Sequence, residues 1–173
     1  MGGARELICQ RVGECVYDES GHGEALGQRT TMTDTSGSTS WTYDERGRVT
    51  QEVNTIAGVA YTTTMTYSAM DQVVTTTYPD DEVVTNTYNA ATQPVSVTGS
   101  AATYISDVVY NALGQLDTVT AGNGVETLYR YNSASQRLVG LQVDDELSYS
   151  YAYDPASADG RWQRPPHGRA AGS

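Results

Sequence analysis

The side chains able to do chemistry in this 173-residue chain are few and poorly placed for it. It has two histidines, His22 and His167, and two cysteines, Cys9 and Cys15. A Ser–His or Cys–His pair needs a histidine held by a rigid element and oriented by a third group. His22 stands in a Gly-rich stretch and His167 in an irregular tail. Cys15 and His22 make the one tempting nucleophile–base pairing, and nothing near them would orient the histidine. The spacing from Cys9 to Cys15 fits no zinc pair, and no further Cys or His pair completes a ligand set. They read as two free thiols rather than a local disulfide. No metal site and no cofactor is expected.

Carboxylates come next. Asp80-Asp81-Glu82 and Asp144-Asp145-Glu146 have the residue types for a Ca²⁺ site or for the paired carboxylates of a glycosidase. Both fall between strand-like runs, where Asp serves turn chemistry alone, and neither has the alternating oxygen spacing of a calcium loop. They read as solvated turns. Aromatic residues offer a binding surface instead, since rows of rings on a sheet can stack sugars. Trp41, Tyr129 and Tyr151 are the candidates for such a glycan-binding role. The net charge is -11, with ten Arg and no Lys. That balance repels phosphate backbones and anionic membranes, so neither nucleic acid nor membrane insertion is expected. The thin catalytic inventory points away from an enzyme.

The elements that would position these residues are strands. Leu, Ile, Val and Phe together make 28 residues, a fraction low enough to warn of disorder at this net charge. The missing apolar mass is supplied by 13 Tyr, and Val with Thr makes up 40 residues. These are strand formers suited to a pleated, half-buried surface.

A repeat organises them. YDERGRV begins at Tyr43, YSAMDQV at Tyr67, YNAATQP at Tyr88 and YNALGQL at Tyr110. YNSASQRL at Tyr131 and YDPASAD at Tyr153 follow, at intervals of 24, 21, 22, 21 and 22 residues. A looser copy, YDESGHG, begins at Tyr17. Each heptad follows a run that alternates with period two. Counting back two from each Tyr gives Trp41, Met65, Asn86, Val108, Tyr129 and Tyr151, which marks one face for burial. Asn86 is the polar exception and needs a partner if buried. The residues between, such as Thr42, Thr64, Thr66, Thr87 and Arg130, suit the other face.

The heptad itself reads as a turn. Asp44, Asn89, Asn111, Asn132 and Asp154 follow the Tyr, where a short side chain can bond the backbone further along. Gly47 and Gly114 stand four after it, where a positive φ carries no Cβ strain. Asp71, Thr92 and Ser135 take that place in other copies, and the Tyr131 copy is one residue longer before Leu138. Second strands such as RVTQEV and QLDTVTA follow, ending at turns such as 78–82, 121–124 and 144–146. Each repeat is thus strand, heptad turn, strand, opposite turn. Eleven or twelve strands are expected side by side.

Three regions result: a poorly defined segment 1–37 with one degenerate repeat, a β-sheet over 38–154, and an irregular tail over 155–173. The N-terminus has no apolar signal-peptide core, and no stretch approaches a membrane span.

Tyr-Asp/Asn-x-x-Gly-Arg/Gln-hydrophobic, fullest at Tyr43–Val49 (with Asp44, Gly47 and Arg48) and Tyr110–Leu116 (with Asn111 and Gly114), resembles the YD-repeat or Rhs family. Rhs polymorphic toxins, insecticidal toxin-complex shell proteins and teneurins are members. The motif set taken for this resemblance also includes Tyr67, Tyr88, Asn89, Tyr131, Asn132, Tyr153 and Asp154. The resemblance implies an all-β fold, with antiparallel hairpin repeats of about 22 residues forming a curved sheet, a segment of a β-spiral shell. It also implies a non-catalytic role in a larger secreted or cell-surface protein, enclosing or displaying a C-terminal effector. The partners so implied are further repeats, an enclosed toxin domain, or a cell-surface glycan. Asp154-Pro155-Ala156-Ser157 lacks the Gly of the family's Asp-Pro-x-Gly signature, so self-cleavage is not carried over to Asp154.

Overall fold

In the computed structural model the described residues are 5–8 (backbone only), 13–144 and 146–153, and every regular element among them is a strand. Contacts divide the chain into two units at Ala102/Thr103. The first unit holds β1 (Arg5–Ile8), β2 (Glu14–Tyr17), β3 (Arg29–Asp34), β4 (Gly37–Tyr43), β5 (Val49–Ile56), β6 (Val59–Tyr67), β7 (Val73–Thr77), β8 (Val83–Tyr88) and β9 (Pro94–Gly99). The second holds β10 (Thr103–Tyr110), β11 (Leu116–Ala121), β12 (Glu126–Tyr131), β13 (Leu138–Val143) and β14 (Leu147–Ser150). Within each unit every strand pairs antiparallel with the one before it, an unbroken meander of hairpins. The fold is all-β, as the alternating runs predict.

Each unit is one layer thick, and burial follows from that. The residues assigned to the inward face, Trp41, Met65, Asn86, Val108, Tyr129 and Tyr151, are all half-buried and none is fully enclosed. Asn86 finds the partner it needs: its Nδ2 donates to the Val73 carbonyl at 3.2 Å. The alternate rows are rich in threonine. On them hydroxyls pair across strands, Thr66 with Thr75 and Thr87 with Ser96.

The heptad turns share one geometry. In the Tyr43 copy the Asp44 N–H donates to the Arg48 carbonyl and the Gly47 N–H to the Asp44 carbonyl. Asp44 Oδ1 accepts from the backbone N–H groups of Arg46 and Arg48. Ser68, Asn89 and Asn111 repeat this arrangement with their own side chains. The residue three beyond each of these is left-handed: Gly47 at φ 73°, Asp71 at 63°, Thr92 at 65° and Gly114 at 76°. The turn therefore survives loss of its glycine. In the Tyr131 copy the left-handed residue is Gln136 at φ 57°, not Ser135. The extra residue widens the loop, so the Gln136 N–H closes onto Asn132 instead.

Three of the opposite turns fall into two kinds. Tyr78–Glu82 and Ala121–Val125 repeat the heptad-turn bonding, with Asp81 and Gly124 left-handed. Ala57-Gly58 is a two-residue turn with both φ values positive, 50° and 80°, the type I′ geometry that suits a twisted hairpin. An Ala there gives little sequence signal.

Enclosed side chains occur where the Tyr17 copy departs from the pattern. Its turn is stretched to residues 18–28, which fold back beside the end of β4. Tyr43 N–H donates to the His22 carbonyl and Glu24 N–H to the Tyr43 carbonyl, while His22 Nδ1 bonds the Trp41 carbonyl at 2.7 Å. Gly23 makes this approach possible, because a Cβ there would collide with the Tyr43 carbonyl. Cys15, Ala25, Thr30 and Tyr43 are buried in this region. Cys15 is also disulfide-bonded, which corrects the reading of two free thiols. The other cysteine of the sequence, Cys9, lies outside the described residues. Spacing alone does not show the β1–β2 pairing, which sets Leu7 opposite Cys15 in the ladder.

The left-handed β-branched Thr92 is the costliest turn position, since a Cβ in that region is worth about 1–2 kcal/mol of strain and glycine gives back part of it in backbone entropy. Thr92→Gly is expected to stabilise the chain by about 0.5–1 kcal/mol in urea titrations, and Gly47→Ala to destabilise it by a similar amount.

Candidate functional site

The feature that recurs with the motif residues is a seam between successive repeats. It begins with a β-bulge at each motif tyrosine from Tyr17 to Tyr131. Thr42 pairs with Gln51 but Tyr43 with Val49, so Thr50 is left over. The same one-residue shift falls before Tyr17, Tyr67, Tyr88, Tyr110 and Tyr131. Where the left-over residue is threonine its hydroxyl closes the gap: Thr30 donates to the Val16 carbonyl and Thr50 to the Thr42 carbonyl.

The residue facing each tyrosine starts the next strand and lies beyond the last ladder pair on its far side. Val49 precedes the first β5–β6 pair, Gln51 with Thr64. Val73 precedes Thr75 with Thr85, and Leu138 precedes Gly140 with Ser150. A carbonyl so placed needs an acceptor's share of hydrogen bonding from elsewhere. The next repeat's tyrosine provides it. Tyr43 Oη donates to the Arg29 carbonyl at 2.6 Å, Tyr67 to Val49 at 2.6 Å, Tyr88 to Val73 at 2.8 Å and Tyr153 to Leu138 at 2.7 Å. Burial pushes the phenols of Tyr43, Tyr67 and Tyr131 up from their ordinary range.

A second link joins turn to turn. The Arg or Gln five after the tyrosine reaches forward to the next heptad. Gln72 Nε2 donates to the Thr92 carbonyl at 2.8 Å and Gln115 Nε2 to the Gln136 carbonyl at 2.9 Å. Both acceptors belong to the left-handed residue of the next turn. At Arg48 the link is ionic. Its guanidinium bonds Asp44 in its own turn and Asp71 in the next, and lies 4.6 Å from the centre of the Tyr67 ring. Arg46 adds bonds to Asp71 and the Ala69 carbonyl. Arg48's hydrogen bond holds the Asp44 carboxyl down at about 2. The longer Tyr131 turn uses Arg137, whose guanidinium lies 5.2 Å from the Tyr153 ring centre.

The motif residues are thus distributed along a seam rather than gathered into a pocket. Asp154 and His167 lie outside the described residues. His22 is held by the Trp41 carbonyl with Glu19 beside it at 3.9 Å, and the Glu19 carboxylate is taken by Thr30 and Thr31. Asp144 exchanges backbone and side-chain bonds with Glu126, and Asp145 lies outside the described residues. No three His, Cys, Asp or Glu side chains among the described residues gather as a metal site. Of the proposed sugar-stacking rings, Trp41 is half-buried, donates its indole N–H to Glu52 and carries Arg29 4.5 Å from its ring centre. Tyr129 and Tyr151 are half-buried as well. The forward-reaching Gln72 and Gln115 were legible only as the Arg/Gln of the motif, without a role.

An antiparallel meander whose repeats are joined by a phenol and an Arg or Gln link defines a repeat protein. Residues 24–60, which include the Tyr43 heptad, match the family model described as RHS Repeat. Among solved structures it is similar to the TcdB2-TccC3 crystal structure, with a TM-score of 0.75 and 21% identity. It is also similar to TcdB2-TccC3-Cdc42 (TM-score 0.70, 21% identity) and to the Photorhabdus luminescens Tc holotoxin pore (0.69, 22%). Each match covers 83% of this chain but 9%, 9% and 8% of the other. This chain therefore spans under a tenth of the length of those it matches. No curated protein sequence matches it.

Two predictions test the seam. Tyr67→Phe is expected to cost about 1–2 kcal/mol, because it removes a hydrogen bond and leaves the Val49 carbonyl bare. Tyr61→Phe, at an exposed ring, is expected to stay within about 0.5 kcal/mol. Chemical denaturation of both variants separates the two. For Asp44, a carboxyl titrating at about 2, below its unfolded value of about 3.9, stabilises the fold above that unfolded value. The contribution fades as pH falls through about 2. Carboxyl NMR is expected to give that midpoint, and Arg48→Gln to move it up toward the ordinary carboxylate range.

Proposed function

We propose that this chain is a non-catalytic stretch of wall in a larger RHS-repeat shell, one that encloses or displays a C-terminal effector. The observation that carries this reading is the seam itself. The motif's Tyr and Arg/Gln side chains are spent joining one repeat to the next, so they build extent rather than a reaction centre. Stability in such a protein is the sum of repeat and neighbour terms, and length can grow without a new core. The likeness to parts of Tc toxin structures supports the same reading at the level of fold.

A secreted or cell-surface location fits two features. The disulfide at Cys15 belongs to an oxidising compartment rather than to the reducing cytosol. The acidic surface, at a net charge of -11, keeps a large repeat array soluble.

A wall makes its contents inaccessible. In the chain expressed with its natural flanking sequence, limited trypsin digestion is expected to spare a C-terminal domain that is cut readily once separated from the repeats. Loosening the seam with Tyr67→Phe and Tyr88→Phe together is expected to speed that cleavage. A C-terminal domain cut at one rate in all three proteins would show that the repeats enclose nothing.

A further inference from the structure

Asn123, at the tip of the β11–β12 hairpin, is followed by Gly124, whereas the other asparagines of the chain precede Thr, Ala or Ser. In an Asn-Gly pair the backbone nitrogen after the asparagine can attack the side-chain amide, because glycine has no Cβ to hinder the approach. The folded turn keeps both reacting groups engaged elsewhere. The Gly124 N–H donates to the Ala121 carbonyl at 2.9 Å, and Asn123 Oδ1 accepts from the Val125 N–H at 3.2 Å. The turn is also clamped from both sides. The Gly122 N–H donates to the Tyr104 carbonyl at 2.8 Å, and the Glu126 N–H to Asp144 Oδ1 at 2.8 Å. Asn123 and Gly124 are themselves exposed, so water reaches them once those bonds let go.

We propose that Asn123 is a latent modification site, closed while the turn is folded and deamidated when the β11–β12 hairpin opens. In the opened turn the Gly124 nitrogen gives its proton to water and bonds to Asn123 Cγ. The C–N bond of the side-chain amide breaks, ammonia leaves, and a cyclic imide remains. Water then opens the imide at either carbonyl, to aspartate or to isoaspartate. Aspartate fits the turn: Asp80 holds the equivalent place in the 78–82 turn, where its Oδ1 accepts the Glu82 N–H. Isoaspartate does not, since its main chain runs through the side-chain carbon and is longer between two strands already in register. Either product adds a negative charge close to Glu126, which is itself bonded to Asp144. A local opening that would otherwise reverse is thereby fixed in the covalent chain.

The test incubates the full 173-residue chain at mildly alkaline pH in water enriched in heavy oxygen, both folded and unfolded in urea. Peptide mapping then marks each residue that has passed through an imide, since hydrolysis adds an oxygen from solvent. Labelling at Asn123 is expected to run about tenfold or more faster in the unfolded chain. Val119→Ala weakens β11 where Val119 faces Thr127 of β12. It is expected to raise labelling at Asn123 and hydrogen exchange at the Gly124 amide by one common factor, about five- to tenfold. Urea below the unfolding transition gives the same comparison without a substitution, and circular dichroism confirms that the strands remain. Equal labelling in folded and unfolded chains, Gly124 exchange that quickens while labelling does not, or no label at Asn123 even in urea would overturn the proposal.

Discussion

The structure depends on one hydrogen bond repeated along the chain, from a tyrosine hydroxyl to the carbonyl that faces the previous tyrosine. The β-bulge and the bond occur together at Tyr17, Tyr43, Tyr67 and Tyr131. Dropping one residue from the register ends the ladder early and strands a carbonyl at the start of the next strand. A long side chain with a donor at its tip must then reach it from the following repeat. The composition answers to this need: the chain has 13 Tyr and no Phe. A closed core would accept either ring, whereas a seam that must satisfy a stranded carbonyl accepts only the one with a hydroxyl.

A single layer also explains why so little is buried and so much is half-buried. Each side chain has neighbours along and across its own sheet and none from an opposing layer. Hydrophobic area removed from water per residue is therefore small, and pairwise links between repeats take on a larger share of the stability. The exception proves informative. Around Cys15, Ala25, Thr30 and Tyr43 the stretched 18–28 turn supplies a local covering, and there the chain acquires enclosed side chains and a disulfide-bonded cysteine.

Much of this architecture is legible in the heptads and in the period-two runs between them, because both are local. Tyrosine spacing locates the strands, and Asp or Asn after the tyrosine locates the turns through contacts no more than four residues away. What escapes the sequence is non-local or hidden by an atypical residue. Thr92 takes a left-handed conformation that its side chain resists, so its identity argues against the turn it makes. Ala57 does the same in the two-residue turn. The stretched turn after Tyr17 looks like a failed repeat, since its purpose lies in contacts with Trp41 and Tyr43 some twenty residues on. The rings nominated for sugar stacking were chosen by type, while their exposure is decided by neighbours such as Glu52 and Arg29.

The two forms of the turn-to-turn link show how the same position serves structure in different currencies. Gln72 and Gln115 make a neutral bond to a backbone carbonyl, which requires only that the next turn present its left-handed residue. Arg48 instead ties two carboxylates and a ring, and in doing so pins Asp44 to its ionised form. A carboxyl held near 2 is useless as a general acid or base at neutral pH, where a catalytic group needs a value near the working pH. Arg48 thus moves the Asp44 carboxyl away from that range and holds it as one end of a lasting link between two turns.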